Sequence, residues 1–199
     1  MEELNHTIFE AINATEQSHP FLLGFGEFAA VYLIYLVPLV LVVGWLAGGD
    51  RIRRAFTETF FVVAVVLAIS TVIGWLWPQP RPFVVPIGNT FIDYDATPAF
   101  PSNHASIMLA VSCTFLLNAV TRRLGAVFLA LTVAVGWARV YLGVHFPLDM
   151  LGAVVLSVTV AAAVAHWRDV LIAPVYEGVV QPLFRWLFAP AIRRGWIEE

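Results

Sequence analysis

Pro101-Ser102-Asn103-His104, followed at once by the largely apolar run from Ala105 to Val120, is the stretch that decides how this chain is read. A Ser and a His at the head of a strongly hydrophobic segment are costly in lipid unless they face a wet site, so their default reading is functional. A helix N-cap is the plainer alternative, and Ser102 is a good capping residue. The two readings do not compete, because the uncapped N–H groups of a helix start are themselves anion donors.

Working outward, the whole chain is apolar. Its 199 residues are 60% hydrophobic and 13% charged, with a mean hydropathy of +0.81, which excludes an ordinary soluble domain of this length and predicts an integral membrane protein. Cys113 is the one cysteine, so no intrachain disulfide can form. The first sixteen residues carry Glu2, Glu3, Glu10 and Glu16 and no Arg, the opposite of a basic signal-peptide start, so the N-terminus is expected to be retained. The net charge of −3 points to no nucleic-acid partner.

In chain order, Leu4 to Glu16 reads as a short amphipathic helix lying on the membrane, with Leu4, Ile8, Phe9, Ala11 and Ile12 at helical spacing. Its Asn5-His-Thr and Asn13-Ala-Thr match a glycosylation sequon too short to carry weight. Five spans follow: Phe21 to Ala47, with a kink at Pro38; Ala55 to Trp77; Ser102 to Val120; Leu124 to Trp137; and Pro147 to His166. A structureless loop from Pro78 to Phe100 holds Arg81, Asp93 and Asp95, and loops of that length are often functional. The tail from Arg168 is broken by Pro174, Pro182 and Pro190 and reads as interfacial helix fragments. The expected fold is therefore an all-α integral membrane bundle of about five transmembrane helices with short N- and C-terminal interfacial helices. Residues 1–170 form the membrane domain and residues 171–199 the tail.

All eleven basic residues are Arg; there is no Lys. Arg51, Arg53, Arg54, Arg122, Arg123 and Arg168 fall on one face of a five-span bundle, joined by Arg185, Arg193 and Arg194 of the tail. By the positive-inside rule that face is cytoplasmic, which puts the N-terminus outside. The other face carries Arg81 and Arg139 together with Ser102, His104, His145 and Asp149. As loop charges these two arginines would be misplaced there; as phosphate ligands they are where they are needed.

His145 and Asp149 are four residues apart, the spacing that puts two side chains on one helical face. Asp149 could then accept from one ring nitrogen and leave the other free to attack, a nucleophile with its orienting partner. Asp93, Asp95 and Asp149 are scattered and form no compact ligand cluster, so neither a metal nor another cofactor is expected.

At these residues the sequence resembles the type 2 phosphatidic acid phosphatase (PAP2) superfamily of membrane lipid phosphatases. Arg81-Pro82 matches the end of its first motif, Pro101-Ser102-Asn103-His104 its second, and Arg139, His145 and Asp149 its third at the same separations. The resemblance implies that His145 attacks phosphorus to form a phosphohistidine, with Asp149 orienting it and His104 serving as acid and then base. Arg81, Arg139, Ser102 and Asn103 would hold the phosphoryl group, with Glu27 and Gln79 at the periphery. Three positions depart from the family pattern: Gly74 stands where it has Lys, Asn103 where it has Gly, and Ala138 where it has Ser.

Within the superfamily, Pro80-Arg81-Pro82-Phe83 and Asn103 look most like undecaprenyl-diphosphate phosphatases of the bacitracin-resistance group. That likeness implies removal of the terminal phosphate from a lipid diphosphate at the outer face of the plasma membrane. The alternatives are a phosphatidate or phosphatidylglycerophosphate phosphatase, or a catalytically weak lipid-phosphate binding or transport protein. The oligomeric state is not legible in the sequence.

Overall fold

The computed structural model describes residues 2–196; the last three residues of the predicted tail lie outside the described residues. Helix α1, Glu2–Ile12, leads into α2, Pro20–Ala47. Then come α3, Asp50–Leu76; α4, Asn103–Leu117; α5, Arg122–Tyr141; and α6, Pro147–His166. Helices α2, α3, α5 and α6 are each long and apolar enough to cross a membrane. Residues such as Leu39, Phe61, Val133 and Val155 turn their side chains outward, a surface suited to hydrocarbon. Exposed Trp75 and Trp77 at one end and Trp167 and Trp186 toward the other fit the aromatic belts of a spanning bundle.

The innermost helix is the short one. Helix α4 packs against α3, α5 and α6 and buries Met108, Val111 and Phe115 in a core shared with Phe56, Phe128 and Val135. Its 15 residues reach about 22 Å, less than a hydrocarbon core of about 30 Å. Both of its ends can therefore be polar while sheltered by longer neighbours. At the end away from His104, Asn118 and Arg168 each reach the buried carboxylate of Glu58, both at 3.2 Å. Gly125 lets α5 start close against this end, since a Cβ there would meet the Leu116 backbone N at 2.6 Å.

Several boundaries differ from expectation. The third span stops at Leu117 rather than Val120, because Asn118 turns back to bond the Thr114 carbonyl, at 3.2 Å. The fourth runs on from Trp137 to Tyr141, so Arg139 lies in the last turn of α5 and not in a loop. Pro38 leaves its mark upstream of itself: α2 is π-helical over Phe28–Tyr32 and 3₁₀ over Leu33–Tyr35. A proline has no N–H for the carbonyl four residues back, and the turn before it must rearrange. Around the predicted loop, the chain makes a 3₁₀ turn at Pro82–Val84.

The two ends of the bundle are tied differently. Beside the N-terminus of α3, Asp50 accepts from Tyr176 Oη (2.9 Å) and Gln181 Nε2 (2.7 Å), while Arg54 pairs with Asp169 and Glu177. The C-terminal helical pieces are thereby held to the end of the bundle that carries most of the arginines.

At the opposite end, Asn13 staples two loops together. Its Nδ2 donates to the carbonyls of Asn89 (2.9 Å) and Tyr141 (3.0 Å), and its Oδ1 accepts from Asn89 N (2.7 Å). An amide engaged in this way is no glycan acceptor. Asn13→Ala is expected to destabilise the protein by about 2–3 kcal/mol, three partly buried hydrogen bonds at about 1 kcal/mol each. Thermal unfolding in detergent checks this, and an unchanged midpoint would refute it.

Candidate active site

Three segments meet at the stapled end. The loop after α3 brings Arg81, the start of α4 brings Ser102 and His104, and the junction of α5 and α6 brings Arg139, His145 and Asp149. Arg81 is 4% exposed, Arg139 1%, His145 2% and Asp149 3%, so four ionisable groups share one nearly dry site. Burial at this density is tolerable only where each charge has a partner.

His145 and Asp149 do meet, at 3.0 Å from Nδ1 to Oδ2, though not as neighbours on one helical face. His145 precedes α6, whose N-cap is Phe146, with Pro147 at the first helical position. Asp149 sits at the third and reaches back, its Oδ2 also accepting from Phe146 N at 2.9 Å. One carboxylate oxygen thus caps the helix and holds the imidazole. The N-terminal helix supports this junction: Asn5 Oδ1 accepts from Leu148 N at 3.0 Å, and Phe9 packs edge-on against Phe146.

The arrangement fixes the imidazole tautomer. Arg81 Nη1 lies 3.1 Å and Arg139 Nη2 3.3 Å from His145 Nε2. Guanidinium nitrogens only donate, so Nε2 must be the accepting nitrogen. Nδ1 then carries the proton that Asp149 accepts. Burial first, then the fields of Arg139 and Arg81, hold the His145 pKa well below its ordinary value of 6.5. The ring is accordingly neutral at pH 7, with a lone pair on the nitrogen flanked by two cations.

This shift sets the pH behaviour. Below pH 6.5 an unfolded His145 binds a proton that the folded one refuses. Its contribution to stability is therefore present in full above pH 6.5 and is lost as pH falls through the window below it. If Nε2 is the nucleophile, no acid limb from His145 should appear in kcat/KM at or above pH 6.5. A pH profile showing a histidine limb there, lost on substitution of His145, would contradict this.

Both arginines are anchored. Arg81 donates from Nε to the Thr97 carbonyl (2.9 Å), from Nη2 to Thr97 Oγ1 (3.1 Å) and from Nη1 to the Val144 carbonyl (2.9 Å). Arg139 Nη1 donates to the carbonyl of Ala30, within the π-helical turn of α2, at 3.3 Å. Ser102 is the N-cap of α4 by position, but its Oγ caps nothing. That hydroxyl and Arg139 Nε are buried without a hydrogen-bond partner among the described residues. Ser102 N donates to the Asp149 carbonyl at 3.2 Å, tying the start of α4 to α6. Arg139, His145 and Arg81 are near enough for their fields to act on His104.

Other expected site residues have other partners. The Asn103 amide Oδ1 accepts from Ser70 on α3 at 2.6 Å, and the two line a cleft of about 220 Å³ with Gly74, Pro98 and Thr97. Glu27 is exposed on α2, and Gln79 enters through its backbone carbonyl, which accepts from Ala99 N at 2.9 Å. Two residues that sequence reasoning passed over belong at the site. Thr97 grips Arg81, and the ring of Tyr94 lies over both guanidinium groups. The signal was the length of their loop, which pointed to the segment and not to its residues.

Comparison with known proteins agrees with this architecture. The family model described as the PAP2 superfamily matches residues 55–172. A protein of Escherichia coli (strain K12) named "Putative undecaprenyl-diphosphatase YbjG" is 36% identical over 201 residues, covering 100% of both chains. Undecaprenyl-diphosphatase BcrC of Bacillus subtilis (strain 168) is 27% identical, over 90% of this chain and 95% of that protein. The crystal structure of a transmembrane PAP2 type phosphatidylglycerolphosphate phosphatase from Bacillus subtilis superposes with a TM-score of 0.63. The match covers 85% of this chain and 87% of that one at 19% identity, a likeness of fold.

Proposed function

This chain belongs to the PAP2 superfamily, and from that premise we propose that it is a membrane lipid phosphatase that hydrolyses undecaprenyl diphosphate to the monophosphate. The observation that carries the chemistry is His145 Nε2, deprotonated, flanked by Arg81 and Arg139 and held from behind by Asp149. The substrate class rests on the two relatives named as undecaprenyl-diphosphatases, which align along almost the whole chain.

The geometry supports the following steps. A terminal phosphoryl group enters between the arginines, whose N–H groups turn from Nε2 to its oxygens. Nε2 attacks phosphorus as the bond to the bridging oxygen breaks, and His104 gives that oxygen a proton. Positive charge arising on the imidazole is stabilised by Asp149, and negative charge on the phosphoryl oxygens by Arg81, Arg139 and Ser102 Oγ. Water, deprotonated by His104, then attacks the phosphohistidine; inorganic phosphate leaves and His145 is restored.

The arginine distribution supports an outward-facing site. Arg51, Arg53, Arg54, Arg122, Arg123 and Arg168 gather at the end remote from His145, which the positive-inside rule makes cytoplasmic. The N-terminus then lies outside and the C-terminus inside. The described part of the tail, residues 171–196, is read as interfacial: Val175, Val179, Leu183 and Trp186 are exposed while Phe184 is buried against the bundle.

The test is phosphate release in detergent from polyprenyl diphosphate, phosphatidate and phosphatidylglycerophosphate. Preference for the diphosphate is expected. A marked preference for either of the others would overturn the substrate assignment, and no release from any of them would favour a binding or transport role.

A further inference from the structure

We propose that Tyr94 is a further phosphoryl-oxygen ligand, its hydroxyl supplying a donor to a site that has no lysine. The proposal rests on the site being one for a phosphoryl group.

The position of Tyr94 is the first ground. Its ring centroid is 4.4 Å from Arg81 Cζ and 4.6 Å from Arg139 Cζ, the same two guanidinium groups that converge on His145 Nε2. A side chain over both cations at once stands where an anion bound by both must sit. Its segment is fastened there, since Arg81 binds Thr97 through both backbone and side chain. Tyr94 also lines an open cleft of about 480 Å³ with Asp93, Asp95 and Thr97, the last being the residue that anchors Arg81.

Donor and acceptor chemistry is the second ground. The two guanidinium groups lie over the ring of Tyr94 and can only donate, so neither takes the proton of its phenol. That proton is left to donate elsewhere. A phosphoryl oxygen entering the cradle is the acceptor such a donor needs.

The third ground is what the site lacks. Gly74 stands where the family pattern has Lys, and the chain contains no Lys at all. Arg81, Arg139 and the unpaired Ser102 hydroxyl remain to face three terminal oxygens without the help of a Lys. Tyr94 already lies against both arginines.

The experiment titrates inorganic phosphate into the detergent-solubilised full chain by calorimetry, comparing wild type, Tyr94→Phe and Tyr94→Ala. Tyr94→Phe removes one oxygen and keeps the ring. It is expected to bind phosphate about tenfold more weakly with an unchanged unfolding midpoint, one hydrogen bond to a charged group. Tyr94→Ala should bind no more tightly than Tyr94→Phe. Equal or tighter binding by Tyr94→Phe would overturn the proposal, because the residue would then be a spectator or a plug over the arginines. A lowered unfolding midpoint with unchanged affinity would make its role structural and overturn it as well. Failure of the wild type to bind phosphate at all would instead overturn the reading of the site, and this proposal with it.

Discussion

His145→Ala is expected to lower kcat by about six orders of magnitude, the loss seen when a nucleophile is removed from a site that acts as a unit. Its fold should survive. Asp149 keeps its bond from Phe146 N, so the start of α6 remains capped, and the vacated volume lies beside two arginines that can hold water. Phosphate release from the lipid diphosphate and the unfolding midpoint, measured on one preparation, separate the two effects. Retention of more than about a thousandth of the wild-type rate, a loss no larger than that of one oxyanion donor, would mean that another group attacks phosphorus. Trapping offers an independent check: an acid-labile phosphoryl group should be found on the wild-type chain during turnover and be absent from His145→Ala.

Asp149→Asn should cost about two to three orders of magnitude in kcat, through the charge behind His145 rather than through its position. The Asp149 carboxylate has two jobs, holding the imidazole in place and stabilising the positive charge that attack puts on it. Both of its bonds reach one oxygen, so an amide oxygen there can still accept from Phe146 N and from Nδ1 and keep α6 capped. It brings no negative charge to the imidazolium, and the transition state loses its counter-ion. KM should change far less than kcat, because Arg81 and Arg139, the proposed phosphoryl ligands, are untouched. If Asp149→Asn instead raised KM strongly and left kcat alone, Asp149 would be part of substrate binding and the counter-ion role would fail.

The same carboxylate shows where sequence spacing was right for the wrong reason. A separation of four positions between His145 and Asp149 suggested one helical face, yet His145 lies ahead of the helix. The contact forms because a carboxylate at the third helical position turns back to cap the N-terminus, and the residue before the cap comes within its reach. Arg139 is a related case. The apolar pattern of α5 ended at Trp137 by hydropathy, but the helix carries its guanidinium inward on the last turn, where the Ala30 carbonyl and His145 receive it. Hydropathy marks what faces lipid; it cannot mark a charge that a bundle encloses.

Composition and periodicity alone determined that this chain crosses a membrane and that the basic residues divide unequally between the two ends. Those properties are sums over many residues, and each residue contributes by its own solvation whatever its neighbours are. The spacing from Arg139 to Asp149 and the motif at residues 101–104 named the candidate reacting groups. Only the tertiary structure decided which of them act together. It brought Arg81 from a loop 64 residues before His145 onto the same nitrogen as Arg139, turned Asn103 away to Ser70, and laid Tyr94 across both arginines. Hydrogen bonds and cation–π contacts depend on distances of a few ångströms between segments far apart in the chain, and it is the packing of α4 among its longer neighbours that sets those distances.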